Sequence, residues 1–173
     1  KINMACSKQD PSWSVAFTEA LTDFIVHQTQ PHGYVSEANA NWLIQQIGQD
    51  GKVDHINEME LLVRVMEQAK SVPDSFSAYT LSQVKQAVLS GSGPLRNGKQ
   101  LEVGLVNEAD VELLRRILYA YAGEGNVSIT TAEAEVLFDI NDATVGKANH
   151  PTWPDLFAKA VANHLMFANN HVT

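Results

Sequence analysis

Two aspartates and a histidine in the last third of the chain have the types and spacing of a metal site or an acid–base site. Asp139 and Asp142 are three residues apart, which places both carboxylates on one face of a helix. His150 follows in the next loop, where its imidazole could complete a set of oxygen and nitrogen metal ligands. The same imidazole could act as a general base oriented by either aspartate. The simpler interpretation is that Asp142 ends one helix and His150 leads into the next.

A second group of acids surrounds Gly51, in the sequence QDGKVD between two predicted helices. This loop invites comparison with the calcium-binding EF-hand, whose oxygen ligands occupy fixed positions around a glycine. Asp50 and Asp54 then fall at ligand positions, whereas Glu58 lies one residue beyond the position of the bidentate glutamate. The sequence therefore predicts no regular EF-hand. It leaves open an irregular cation site formed by Asp50, Asp54 and Glu58, or a glycine turn and helix start without a metal.

Other motifs that carry chemistry are few. Asp23 and His27 are one helical turn apart, a spacing that suits either a metal ligand pair or a surface hydrogen bond. The sequence has no nucleophile elbow, no phosphate-binding Gly-Lys-Ser/Thr loop, no HExxH motif and no pair of cysteines. Arg115 and Arg116 are predicted to form a salt-bridged helix face.

The elements that position these residues are predicted to be about seven helices, because the apolar residues follow a helical period. A helical hairpin is written twice, as VSEANANWLIQQI from Val35 and VNEADVELLRRI from Val106. Each copy leads through an acidic glycine turn to a second helix. We therefore predict internal repeats over residues 35–90 and 106–168, joined by a linker rich in Gly, Ser and Pro over residues 90–104.

Local signals mark some helix starts. Pro11 follows an aspartate and stands where proline is tolerated, in the first helical turn. Thr130 and Glu133 have the spacing of a capping box, in which each side chain bonds a free backbone N–H group. Strand signals are weak, and a brief pairing of residues 52–53 with residues 127–129 is expected to connect the two turns.

The turn DGKVD, from Asp50 to Asp54, and the acidic helix start after it resemble the TerB-like proteins associated with tellurite resistance. The resemblance covers chiefly residues 35–70, with a fainter echo over residues 106–140. It implies a compact all-α domain with related hairpins in its two halves and a role in metal-linked stress biology. The acids thought to hold metal in such proteins would correspond to Asp50, Asp54 and Glu58. The second copy departs from this pattern at Gly123, Asn126 and Ser128.

Composition narrows the class of protein. With 173 residues, 45% hydrophobic and 18% charged, residues 1–173 are predicted to form one globular domain. A formal net charge of −8 argues against nucleic acid as a partner, because phosphate binding requires Lys and Arg. The longest apolar run, residues 165–168, is too short to span a membrane. Because the chain opens at Lys1, either Met4 is the start or upstream sequence has been removed. The single cysteine, Cys6, favours a reducing, cytoplasmic location.

The leading hypothesis is a non-catalytic helical module with a role in protein interaction or self-assembly, since aliphatic helices are abundant and catalytic motifs are absent. Its partner would be another protein or a second copy of the chain. The alternative is a divalent-metal (calcium-type) binding protein of the TerB-like kind. A metal-dependent hydrolase that uses Asp139, Asp142 and His150 is the third hypothesis. No cofactor other than a divalent metal ion is implied.

Overall fold

The computed structural model describes residues 10–48, 52–91, 93–96, 103–120 and 128–169. Within these ranges a π-helix, Phe24–Gln28, continues the first helix, and a 3₁₀-helix, Pro94–Arg96, follows the fourth. The same ranges contain no β-strand, which confirms the predicted all-α class. The described α-helices, seven as predicted, are α1 (Pro11–Asp23), α2 (Glu37–Ile47), α3 (Ile56–Gln68), α4 (Asp74–Ser90), α5 (Glu108–Leu118), α6 (Thr131–Thr144) and α7 (Trp153–Asn169).

Side-chain caps explain where several helices begin. The first backbone N–H groups of a helix have no partner within the helix, and a polar side chain just before it can accept from them. The predicted capping box is present at α6, where Thr130 accepts from the Glu133 amide and Glu133 accepts from the Thr130 amide. The caps of α1, α2 and α5 are Asp10, Ser36 and Asn107.

Val35 and Val106, which precede α2 and α5, bond to the chain that follows α3 and α6 respectively. The Val35 amide donates to the Ser71 carbonyl at 3.0 Å. In the second half, the Val106 carbonyl accepts from the His150 amide at 2.8 Å, and the Val106 amide donates to the Asn149 side chain at 3.0 Å. These bonds bring the residues before α2 close to those after α3, and the residues before α5 close to those after α6.

The predicted pairing of residues 52–53 with residues 127–129 is replaced by bonds to side-chain amides. The Val53 amide donates to Oε1 of Gln83 on α4 at 3.0 Å. The Ile129 amide donates to Oδ1 of Asn163 on α7 at 2.9 Å. Each of these two backbone donors is therefore satisfied by a side chain of a helix. Val127 lies outside the described residues.

One continuous hydrophobic core includes buried side chains from α2 to α7, and Phe17 and Leu21 of α1 pack against it. Helix α4 packs against α3 of the first half and against α5 and α6 of the second half, while α1 packs on α3 and α7 packs on α5 and α6. The position of α4 explains its composition, because Phe76, Leu81, Val84 and Val88 are all buried. No α-helix in the described ranges combines the length and the apolar character needed to cross a lipid bilayer.

A buried ion pair attaches the described part of the predicted linker to the second half. Arg96, in the 3₁₀-helix, donates from Nη1 to Oδ1 of Asp110 in the first turn of α5. Their side chains are only 1% and 2% exposed. The second oxygen of Asp110 accepts from the Asn107 amide at 2.9 Å, which completes a capping box. Arg96 is therefore part of the packed structure.

Candidate interaction groove

The first group of predicted metal ligands lies at the start of α3. Asp54 is exposed, Glu58 is 3% exposed, and Asp50 lies outside the described residues. One oxygen of the Glu58 carboxylate accepts from the backbone amides of Asp54 and His55 at 3.2 and 3.1 Å. Glu58 therefore caps the N-terminus of α3, as Glu133 does for α6. A cation at these three acids remains a prediction.

The second group of predicted metal ligands is Asp139, Asp142 and His150. Asp139 and His150 form hydrogen bonds with different residues and not with each other. Asp139 accepts from Nζ of Lys85 at 2.9 Å, which joins α6 to α4. Nδ1 of His150 lies 2.8 Å from the Thr152 hydroxyl, and Asp142 is exposed at the end of α6. Among the described residues, no three His, Cys, Asp or Glu side chains converge as a metal site. The geometry does not show His150 oriented by an aspartate.

Asp23 and His27 do not bond to each other. Asp23 accepts instead from the side chain of Gln28, and Nε2 of His27 lies 3.4 Å from Oε1 of Gln68 on α3. The π-helix explains the change of partner, because its wider turn relates residues five apart rather than four apart.

Between α1 and α3 the structure forms a groove with a volume of about 270 Å³. Val15 of α1 and Ile56 of α3 line it and are 55% and 53% exposed. The other side chains that line the groove are Ser14, Thr18, Glu19, Asn57, Glu60 and Arg64.

A network of ion pairs holds the α3 wall of the groove. The guanidinium of Arg116 on α5 donates to both oxygens of Glu60, at 2.9 and 3.0 Å, and to both oxygens of Glu67, at 2.8 and 3.0 Å. Arg64 donates to Glu60 at 3.2 Å. Arg115 pairs with Glu112 on its own helix. The predicted salt-bridged helix face is confirmed, and Arg116 extends it to a neighbouring helix.

This network shifts two pKa values in the directions that favour the charged forms. Burial raises the pKa of Glu60, but the hydrogen bonds and charges of Arg116 and Arg64 outweigh burial, so the net pKa is lowered. The hydrogen bonds from Arg116 to Glu67 and then to Glu60 raise the pKa of the Arg116 guanidinium. Glu60 is therefore an anion whose charge is balanced within the protein.

The lowered pKa of Glu60 predicts a pH-dependent contribution to stability. This contribution is fully present above the ordinary pKa of 4.5 and is lost as the pH falls through the lowered folded-state value. We expect Glu60→Gln to lower the thermal midpoint at neutral pH, and the difference from the wild type to shrink in acid. Thermal unfolding followed by circular dichroism at a series of pH values measures this difference in thermal midpoint. The control Glu112→Gln changes an exposed carboxylate that pairs with Arg115, and identical pH profiles for the two variants would contradict the prediction.

Glu19 is the carboxylate of the groove whose charge is not balanced. It is exposed, and within the part of the chain that the structure describes its carboxylate has no ion pair or hydrogen bond. The groove therefore offers two exposed aliphatic side chains beside one free negative charge.

No family model, no curated protein and no solved structure matches the chain.

The sequence pattern does not reveal the groove. Ile56 belongs to the apolar stripe of α3 and is expected in the core, yet it is the first residue of the helix and is exposed. Val15 lies off the stripe formed by Trp13, Phe17 and Leu21 and shares a face with Thr18 and Thr22, which are buried, so its position in the pattern does not mark it as a surface residue.

Proposed function

We propose that this chain is a non-catalytic helical module that binds a helical segment of a protein partner in the groove between α1 and α3. The observation that supports this function is the pairing of Val15 and Ile56, both more than half exposed, across a groove of about 270 Å³. Covering these side chains would remove apolar surface from water, which is the main driving force for protein association.

The groove is large enough to accept one or two aliphatic side chains, and its volume lies just below the usual range for small-molecule sites. Sites for small molecules usually have volumes of about 300–1,000 Å³, and this groove is smaller. Amphipathic helices bind in such grooves through aliphatic residues spaced three or four apart. The ligand class is therefore a helix that inserts one or two aliphatic side chains between Val15 and Ile56.

The free carboxylate of Glu19 defines the charge of the partner. Because Glu60 is already paired with Arg116 and Arg64, a cationic residue of the partner would gain most from Glu19. The net charge of −8 also attracts a basic segment over longer distances. The expected partner helix carries Lys or Arg next to its aliphatic residues.

A displayed library of helical peptides tests this function. Selection on the whole chain should enrich peptides with aliphatic residues three or four apart and a neighbouring Lys or Arg. The variant Val15→Gln/Ile56→Gln keeps good helix formers and should weaken binding of a selected peptide about tenfold or more. Glu19→Gln should weaken binding less and reduce its dependence on salt.

The matched control is Val103→Gln, which alters an aliphatic side chain that is also 53% exposed but does not line the groove. Amide chemical shifts in the presence of the selected peptide should change at α1 and α3. The function is disproved if no peptide is enriched, or if Val103→Gln weakens binding as much as the groove variant does.

The TerB-like resemblance supplies a second candidate function, a divalent cation held by oxygen atoms beside the start of α3. The observation that favours it is a cavity of about 230 Å³ beside Asp54, where Gln86 and Ser90 add side-chain oxygens; Lys52 also lines this cavity, and Oε1 of Gln83 there already accepts from the Val53 amide. Oxygen atoms are the ligands that calcium and magnesium prefer.

We predict for this second candidate that calcium, magnesium, manganese or zinc raises the thermal midpoint. A ligand present at a hundred times its Kd stabilises the folded state by about 2.7 kcal/mol. If the cation binds beside the start of α3, Asp54→Asn should abolish the rise in thermal midpoint. If Asp142→Asn abolishes the rise instead, the cation binds near Asp139 and His150. Glu108→Gln, which alters an exposed acid outside both groups, is the control. A flat response to all four metals contradicts both metal hypotheses.

A further inference from the structure

Helices α1, α4 and α7 begin with the same short pattern, a hydroxyl residue followed by an aromatic residue. The pairs are Ser12-Trp13, Ser75-Phe76 and Thr152-Trp153. Helix α1 packs along the later helix α3, and α4 packs along the later helix α6. Helix α7 begins in the same way and packs on α5 and α6, which precede it in the chain.

The three helices differ in the exposure of one equivalent position. The residue twelve positions after each aromatic is a large aliphatic residue: Ile25 in the π-helix that continues α1, Val88 in α4 and Leu165 in α7. Ile25 and Val88 are 1% and 0% exposed, whereas Leu165 is 53% exposed and its neighbour Met166 is 69% exposed. The aliphatic side chain at this position is therefore buried after α1 and in α4 but exposed in α7.

This surface of α7 is almost without charge. Its exposed residues include Ala158, Ala162, Leu165 and Met166, and the one cation among them, Lys159, pairs with Asp155 at 2.8 Å. On a chain with a net charge of −8, two copies repel each other over most orientations. A neutral apolar face is the place where a second copy can approach at the lowest electrostatic cost.

We infer that α7 is a self-association surface, on which the α7 helix of a second copy packs in the antiparallel direction. Leu165 and Met166 lie one helical turn after Ala162, and Ala158 lies one turn before it. In an antiparallel pair centred on Ala162, Leu165 of each copy lies over Ala158 of the other, and Met166 packs along the aliphatic stem of Lys159. The face is therefore complementary to itself, as a two-fold symmetric interface requires.

Sedimentation velocity of the whole chain over a range of concentrations tests the self-association surface. We expect a reversible monomer–dimer equilibrium, and Leu165→Glu/Met166→Glu should raise its Kd about tenfold or more. Val145→Glu, which replaces a side chain that is 70% exposed at the end of α6, should leave the Kd unchanged. Equal thermal midpoints of the variants at low concentration show that the fold is intact.

A disulfide provides a second measurement. In a Cys6→Ser background, Ala162→Cys should form a covalent dimer under mild oxidation, because the two residues meet at the centre of the pair, whereas Val145→Cys should not. A chain that stays monomeric at all concentrations, or a dimer that Leu165→Glu/Met166→Glu leaves intact, overturns the inference. The groove contains no residue of α7, so this failure leaves peptide binding at Val15 and Ile56 untouched.

Discussion

Replacement of Arg96 by methionine is expected to destabilise the folded chain by roughly 3–5 kcal/mol, because it leaves a buried carboxylate without its cation. Both side chains of the Arg96–Asp110 pair are almost fully buried. Asp110 keeps its hydrogen bond from the Asn107 amide, but one backbone amide does not replace a full positive charge. Urea unfolding followed by circular dichroism measures the loss.

Two further variants make this prediction specific. Arg96→Met/Asp110→Asn removes the orphaned charge and should recover part of the lost stability, since an amide is less costly to bury than a carboxylate. Arg115→Met breaks an exposed pair whose side chains are 45% and 64% exposed, and it should cost about 1 kcal/mol or less. Similar losses for Arg96→Met and Arg115→Met would show that the buried pair has no special role.

Trp153→Ala is expected to cost about 3–5 kcal/mol, the range for removal of a large aromatic side chain from a packed core. Trp153 is 1% exposed and packs beside Phe157, with ring centroids 5.7 Å apart. Its indole Nε1 has no hydrogen-bond partner among the described residues. The whole contribution of Trp153 therefore comes from packing.

The matched variant Trp153→Phe separates packing from hydrogen bonding. It keeps an aromatic ring and loses no hydrogen bond, so the loss of stability should be clearly smaller than for Trp153→Ala. Denaturant midpoints of the two variants at equal unfolding slope provide the comparison. If the two substitutions destabilise the chain equally, the loss comes from an interaction of the indole N–H and not from packing of the ring.

The helices could be predicted from the sequence because their signals are local. Pro11, Ser36 and the Thr130–Glu133 box each stand within a few residues of the helix start that they determine. The π-helix at residues 24–28 carries no comparable signal. It changed the partner of Asp23 from His27 to Gln28, and a regular helical period could not show this.

The contacts between distant residues could not be predicted. Arg96 stands in a segment rich in turn residues, and only the packing of α5 beside the 3₁₀-helix brings Asp110 to it. The groove depends in the same way on α1 meeting α3, since Val15 and Ile56 are far apart in the chain.

The role of the acids at the start of α3 could not be determined from the residue type. A carboxylate in the first helical turn suits a cation and also suits the free backbone amides of the helix. Glu58 bonds to those amides. Sequence spacing cannot distinguish the two roles, because both place the carboxylate at the same position.

Helix α4 stands before the linker in chain order, yet its apolar side lies against α6 and α5, which follow the linker. Neither α3 nor α6 can separate from α4 without exposing its apolar side chains to water, so we expect heat to unfold the described helices in one all-or-none step. Evolutionary change is coupled for the same reason: a substitution on α4 has to suit neighbours on both sides of the linker at once.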